Sequence, residues 1–377
     1  NTTAEGSTNA AVVGGAGNTA TGNSSLVLGG GYISLDRNEK GGYVKTTIAA
    51  ENNAEGKGSV ILGGAKNLTT AASSNSVVVG GLNNTASGDY SAVFGGVINK
   101  TLAGTAGSAG GYNNAASGDL SSVFGGQWNT AEGKHYVALG GHMNTVTGDT
   151  AVVVGGDGNN ASGDNSLAAG GTGNTASGFY SATFGGAGNK AENDTSATFG
   201  GWGNTTSGEY STALGGFGNT ASGRNAVVIG GGIASADKKG FMTPVEAENT
   251  AKGEGSVILG GTNNLTTAAA SNSVAVGGKG SQAANEYAVA IGGGTAQGKN
   301  SVAIGNGVTT SATQYEVAIG SSNTNKLTFA SFALTTGKGK EERIEANGQK
   351  ITNIGSSITA KNAAWSGETT FLKKLAS

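Results

Sequence analysis

The chain contains no cysteine, one proline and two histidines among 377 residues. Without cysteine it has no disulfides, no thiolate metal ligands and no thiol nucleophile. Charged residues make up 12% and the formal net charge is −2, with no long run of either sign. That excludes the basic surface that nucleic acid or an anionic membrane requires. No apolar run is long enough to span a membrane, and no signal peptide is present. The first residues, NTTAEG, already sit inside a motif. The chain is therefore read as an excised piece, with any targeting signal or anchor expected outside it. Glycine is abundant instead, with 72 residues. It follows no G-X-Y period and has almost no proline beside it, which excludes collagen. Hydrophobic residues reach 36% and fall at regular places, which a disordered chain would not show.

The regularity is a repeat. Taking the first glycine of each Gly-Gly pair as a marker, the markers from Gly80 to Gly230 fall every 15 residues without a break. Gly14, Gly29 and Gly63 precede them; Gly260, Gly277 and Gly292 follow, with Gly305 and Gly320 as single-glycine variants. Fifteen residues are too few for a helical hairpin or a propeller blade, and suit one coil of a β-solenoid with two short strands. Immediately before the marker stand residues such as Leu28, Phe94, Phe124, Leu139 and Phe184; two earlier stand Leu26, Val60, Val137 and Val152. Spacing of two puts both sets on one face of a strand, expected to point into the coil.

The residue between them is also apolar, at Val93, Val123, Ala138, Val153, Ala213 and Val228. A strand apolar on both faces should be buried on both. These six are expected on the outward face, meeting a partner chain along the whole rod. In the second strand, NTASG, alanines such as Ala86, Ala116 and Ala131 fit a narrow interior, with Thr and Ser facing water. The glycine that follows, as at Gly88 and Gly148, is expected to turn the chain with φ > 0. Asparagines recurring at one offset, Asn84 to Asn219, would stack as a ladder bonding the turn backbone.

Two insertions interrupt the period, at about residues 31–50 and 232–247, and each is followed by a similar 17-residue step. They carry charge, aromatics and the only proline, Pro244, and are expected to project as hairpins. The repeat governs residues 1–325; residues 326–377 are a separate segment, whose end, ETTFLKKLAS, has the pattern of a helix start.

NSVAIG (Asn300–Gly305), YAVAIGG (Tyr287–Gly293), NSVAVGG (Asn272–Gly278) and the many TASGxxS segments resemble the head repeats of trimeric autotransporter adhesins, the YadA-like group. The resemblance implies an all-β, left-handed parallel β-roll, three identical chains per head, and display on a Gram-negative outer membrane through a C-terminal region outside this chain. It makes the six outward positions trimer-interface residues. KITNIG (Lys350–Gly355) is similar to the necks that join such heads to coiled-coil stalks. The 15-residue step departs from the commoner 14-residue pattern.

Enzymatic chemistry is not expected. The two histidines, His135 and His142, lie in no metal-ligand spacing, and the GxS strings are pieces of the repeat rather than a nucleophile elbow. No cofactor, metal, nucleic acid or direct membrane contact is expected. Hexapeptide-repeat acyltransferases share the architecture, but their six-residue period is absent. An ice-binding face would need a regular threonine lattice, and the TxS positions are mixed with Asn, Glu and Lys.

Adhesion would use outward residues that differ between coils. Tyr112, Trp128, His142, Met143, Trp202 and Phe217, just after the markers, are the candidate ligand contacts, because Trp and Tyr carry much interface energy. Packing over the coil corner is the competing role. A row of Asp89, Asp119, Asp149, Asp164, Asp194 and Glu209 is either a solvated edge or a weak cation site. The expected partners are two further copies of the chain, plus host or bacterial surface receptors, matrix proteins included. A rigid spacer displaying a tip elsewhere is the alternative.

Overall fold

The computed structural model describes residues 1–30, 32–37, 43–48, 50–236, 242–246, 248–330, 333–336 and 342–345. The neck-like KITNIG motif and the helix-like C-terminus lie outside the described residues. The chain divides into two units, Asn1–Thr328 and Phe329–Ser377. In the second, Ala333–Thr336 pairs antiparallel with Glu342–Glu345.

The first unit is an all-β parallel solenoid of about 19 turns. Each turn contributes a three-residue strand ending at the marker and a two-residue strand in the NTASG segment. Like strands stack in register, so Val93 pairs with Ser108, Val123 with Ala138, and Ala138 with Val153. The insertions leave this register intact: Val27 pairs with Ile61, and Val228 with Ile258. Within each insertion the described strands, Tyr32–Arg37 with Tyr43–Ile48 and Ile233–Ala236 with Met242–Glu246, pair antiparallel in a two-stranded sheet of their own.

Four side chains per typical coil point inward. In the coil that starts at Gly80 they are Asn84, Ala86, Ser91 and Val93, each 0% exposed. The long strand therefore faces the opposite way from the sequence expectation. Val93, Val123, Ala138, Val153, Ala213 and Val228 are all 0% exposed within a single chain, so they fill the coil and cannot meet a partner. The flanking residues point out instead, with Phe94 55% exposed. The reason is volume. Opposite lie asparagine and mostly alanine, with Val146 and a few threonines, so the long strand's inward column holds Val, Ile, Ala, Ser or Thr and never Phe or Leu. Because the side-chain period is two, exchanging one position exchanges the whole strand.

The corners turn through left-handed residues. In the coil starting at Gly125 these are Gly125, Gly126, Trp128 and His135, and equivalent positions repeat along the rod. Gly88 and Gly148 are not among them, which corrects the expected reason for glycine there. A Cβ on Gly148 would lie 2.0 Å from the Gly163 carbonyl oxygen and 2.3 Å from its carbon. Glycine is needed there because successive coils touch backbone to backbone. Gly148→Ala is accordingly expected to cost about 3 kcal/mol or more, by forcing two coils apart. Gly185, with φ +61 and nothing within 4 Å of an added Cβ, should cost only about 1–2 kcal/mol as alanine. Thermal unfolding of the two variants, read side by side, checks this.

The asparagine ladder forms as expected. Each backbone N–H from Asn84 to Asn219 donates to the Oδ1 of the asparagine one coil earlier, as in Asn144 to Asn129 at 3.0 Å. Each Nδ2 donates to a glycine carbonyl of its own coil, and from Asn84 to Asn204 also to one of the next, so Asn144 bonds Gly140 and Gly156. Buried asparagine thus pairs the corner's backbone groups, which would otherwise carry an unpaired desolvation cost.

Candidate functional surfaces

Three outward features run along the solenoid. The first is the outer face of the long strands. Leu28, Leu62, Phe94, Phe124, Leu139, Val154, Phe184, Phe199, Ile229 and Leu259 are exposed there in one column. Beside them, Val60, Val77, Val137, Val152, Leu167 and Val227 are half-buried. Phe184 and Phe199 stack with ring centroids 4.9 Å apart and planes 5° apart. An apolar face this long is far larger than a soluble monomer ordinarily leaves to water. Sequence reasoning assigned these residues to the interior. The signal that distinguishes the faces is size: the inward column never exceeds Ile, whereas the outward one ranges up to Phe.

The second feature is the corner after the markers, which holds the six candidate contact residues. The residues two after each marker are joined by single parallel bridges from Ala65 through Leu82, Val97, Tyr112, Gln127, His142, Asp157, Thr172, Ala187 and Trp202 to Phe217. They form one straight column, and the next residues form a second. Trp128 is 49% and Met143 57% exposed; Tyr112 and Trp202 are exposed, Phe217 half-buried. The structure brings these residues into two groups. Tyr112 meets Trp128 edge to face at 5.9 Å, and Trp202 meets Phe217 at 5.3 Å. Between them His142 Nδ1 lies 2.8 Å from Asp157 Oδ1. Ile98, Trp128 and Met143 adopt φ of 61°, 60° and 53°. Bulky side chains hold this conformation at a cost, and here about half of each of Trp128 and Met143 stays exposed to solvent.

The third feature is the opposite corner, where exposed Tyr90, Tyr180, Tyr210, Tyr287 and Tyr315 also take positive φ. Arg224 sits over the Tyr210 ring at 5.8 Å and Lys299 over Tyr287 at 6.0 Å, each also paired with a glutamate, Glu209 or Glu286. The sequence reading did not single out these tyrosines. The acidic row lies beside them, and three of its members, Asp89, Asp164 and Asp194, cap backbone N–H groups. Asp164 accepts the Asp149 N–H at 2.7 Å, and Asp89 accepts that of Ser74 at 2.5 Å. Among the described residues no group of three or more His, Cys, Asp or Glu is placed to hold a metal ion.

One coil carries tyrosine in the inward serine position. Tyr136 is buried, and its hydroxyl donates to the Thr147 carbonyl at 2.7 Å, with Asp149 Oδ1 at 3.2 Å. Burial first, then the Asp149 carboxylate, push its pKa up to about 12. An unfolded tyrosine ionises near 10, so this phenol stays neutral in the folded chain while the unfolded chain is already ionising. Its contribution to stability is therefore full below about pH 10 and falls as pH rises toward 12. Wild type should lose stability relative to Tyr136→Phe across that window, as denaturant midpoints at successive pH values would reveal.

No protein-family model and no curated protein matches this chain.

Proposed function

We propose that the chain is the head of a trimeric bacterial surface adhesin. It attaches to host cells, matrix proteins or other bacteria through many weak, repeated contacts. The observation that carries the reading is the continuous outward apolar face of the long strands. A face of that length needs a cover, and further copies of the same rod supply one of matching length and spacing. Three copies, in a left-handed roll, follow from the resemblance to YadA-like heads. The same resemblance places the head on the Gram-negative outer membrane, with residues 326–377 as the neck toward a stalk and the insertions as projecting hairpins. Contact then falls to the corners, where side chains differ from coil to coil and are copied three times. Avidity from such copies makes weak single sites sufficient.

The test has two arms. Light scattering of the purified head should give three times the chain mass. Immobilised head should then retain matrix proteins or cells, and the Trp128→Ala/Trp202→Ala variant should lose most of that retention. A trimer that retains nothing would be a rigid spacer; a stable wild-type monomer would sink the assembly itself.

A further inference from the structure

At the tyrosine corner, two of the tyrosines hold a cation supplied by their own chain. Arg224 lies over the Tyr210 ring at 5.8 Å, with its Nε 3.5 Å from Glu209. Lys299 lies over the Tyr287 ring at 6.0 Å, with its Nζ 2.5 Å from Glu286. Both times the acid directly precedes the tyrosine, and the cation takes the acid's position one coil later. One backbone bond fixes that relation. The residue after the cation donates its N–H to the acid's carbonyl, Asn225 to Glu209 and Asn300 to Glu286, each at 2.9 Å.

Asp89 and Tyr90 repeat the acid–tyrosine pair, and Thr105 donates to the Asp89 carbonyl at 2.7 Å, so the backbone relation is the same. In the cation's position stands Gly104. Nothing in the chain requires glycine there. Its φ lies outside the left-handed region, and an added Cβ would have Asp119 Oδ1 at 3.7 Å and the Asp89 carbonyl oxygen at 3.8 Å, both ordinary contacts. The missing side chain leaves a notch between coils. The Tyr90 ring, 66% exposed, stands on one side of it. Asp89 accepts the Ser74 N–H through Oδ1, which leaves Oδ2 for a ligand. Exposed Asp119, on the far side, makes no side-chain hydrogen bond or ion pair among the described residues. The exposed Tyr180 and Tyr315 follow Phe179 and Gln314 instead of an acid, so they do not repeat the arrangement.

We propose that this notch binds an arginine side chain of a partner protein, in the place that Arg224 and Lys299 fill for their own tyrosines. The guanidinium stacks on Tyr90 and reaches Asp89 and Asp119 together. Two coils separate these acids, roughly 10 Å at the spacing of stacked strands. A planar fork with donors on both sides bridges that gap, whereas an ammonium presents a single point. The same row continues with Asp149, Asp164, Asp194 and Glu209 against Lys134 and Arg224, so its charge also favours a basic partner. The notch lies within one chain and does not depend on assembly; it goes beyond the adhesin reading by giving the chemistry of one partner group.

The probe is a Gly-Arg-Gly-Arg-Gly peptide passed over immobilised head at 0.15 M salt. Tyr90→Ala should weaken binding about two- to five-fold, the worth of an exposed cation–π contact. Gly104→Arg should supply the missing cation from the chain itself and weaken binding on the order of ten-fold. Asp164→Arg is a larger charge change four coils away, well beyond the screening length of about 8 Å, and should alter binding less than two-fold. Circular dichroism shows whether each variant is folded, and Asp119→Asn, which keeps the side chain's shape, should also weaken binding. The peptide with lysine in place of arginine should bind more weakly than the original. Equal losses in Gly104→Arg and Asp164→Arg, or equal affinity for the two peptides, would overturn the proposal. A head that retains matrix proteins or cells yet ignores the peptide loses only the notch. A head that binds the peptide through Tyr90 and retains nothing keeps the notch and loses the adhesin reading.

Discussion

Val153→Asp should unfold the middle of the rod, whereas Val152→Asp, one residue away, should leave each chain folded and remove only its association. Val153 is 0% exposed and packs in the interior cluster with Ala138, Val146, Ala161 and Ala168. None of these neighbours can pair with a carboxylate, so the charge would be buried alone. Such burial costs several kcal/mol even after the group protonates, a large share of an ordinary domain's stability. In a stacked solenoid each coil rests on its two neighbours, so the lesion would spread to them. Val152 is half-buried on the outward face, next to exposed Val154. An aspartate there stays hydrated in the single chain and is dehydrated only when another copy covers the face. Circular dichroism and light scattering on both variants separate the outcomes. If Val152→Asp unfolded and Val153→Asp did not, the assignment of faces would be reversed.

Breaking the asparagine ladder at Asn144 should be the second large effect. Its side chain donates to the Gly140 and Gly156 carbonyls at 3.2 Å each and accepts the Asn159 N–H at 2.9 Å. Asn144→Ala removes all three bonds and leaves a buried N–H without an acceptor. Two lost bonds and one orphaned donor together cost roughly 3–5 kcal/mol. Asn144→Ser should lose less, because the ladder already contains one serine. Ser281 Oγ donates to the Gly277 carbonyl at 2.8 Å and accepts the Gly293 N–H at 2.8 Å. Asn144→Asp should be worst at neutral pH, since a carboxylate cannot donate to two carbonyls, and should recover as acid protonates it. Hydrogen exchange at residues 129–159 would locate the damage. Equal protection in wild type and Asn144→Ala would refute a stabilising ladder.

Several features were legible because they depend on spacing alone. The 15-residue step, the parallel stacking, the inward alanines of NTASG and the asparagine ladder all follow from the identity of one position in successive coils. The corner columns were legible as well, because Tyr112, Trp128, Met143 and Trp202 differ from their counterparts while the framework does not. Gly148 was recognised as a corner glycine for the wrong reason. Its φ is ordinary, and the constraint is the Gly163 carbonyl of the next coil, a contact that exists only after stacking.

The sequence alone determined that the chain is a solenoid whose long strands are apolar on both faces. It did not determine which face fills the coil. A three-residue strand such as Val152–Val154 is apolar at every position and carries no amphipathic signal, and size alone suggests that the bulkier residues lie inside. The tertiary structure decided otherwise, because closing a 15-residue coil on Asn and Ala leaves an interior only as wide as valine or isoleucine. Phe94, Phe124 and their column were thereby placed outside, and the proposal of self-association now rests on that opposite set of residues.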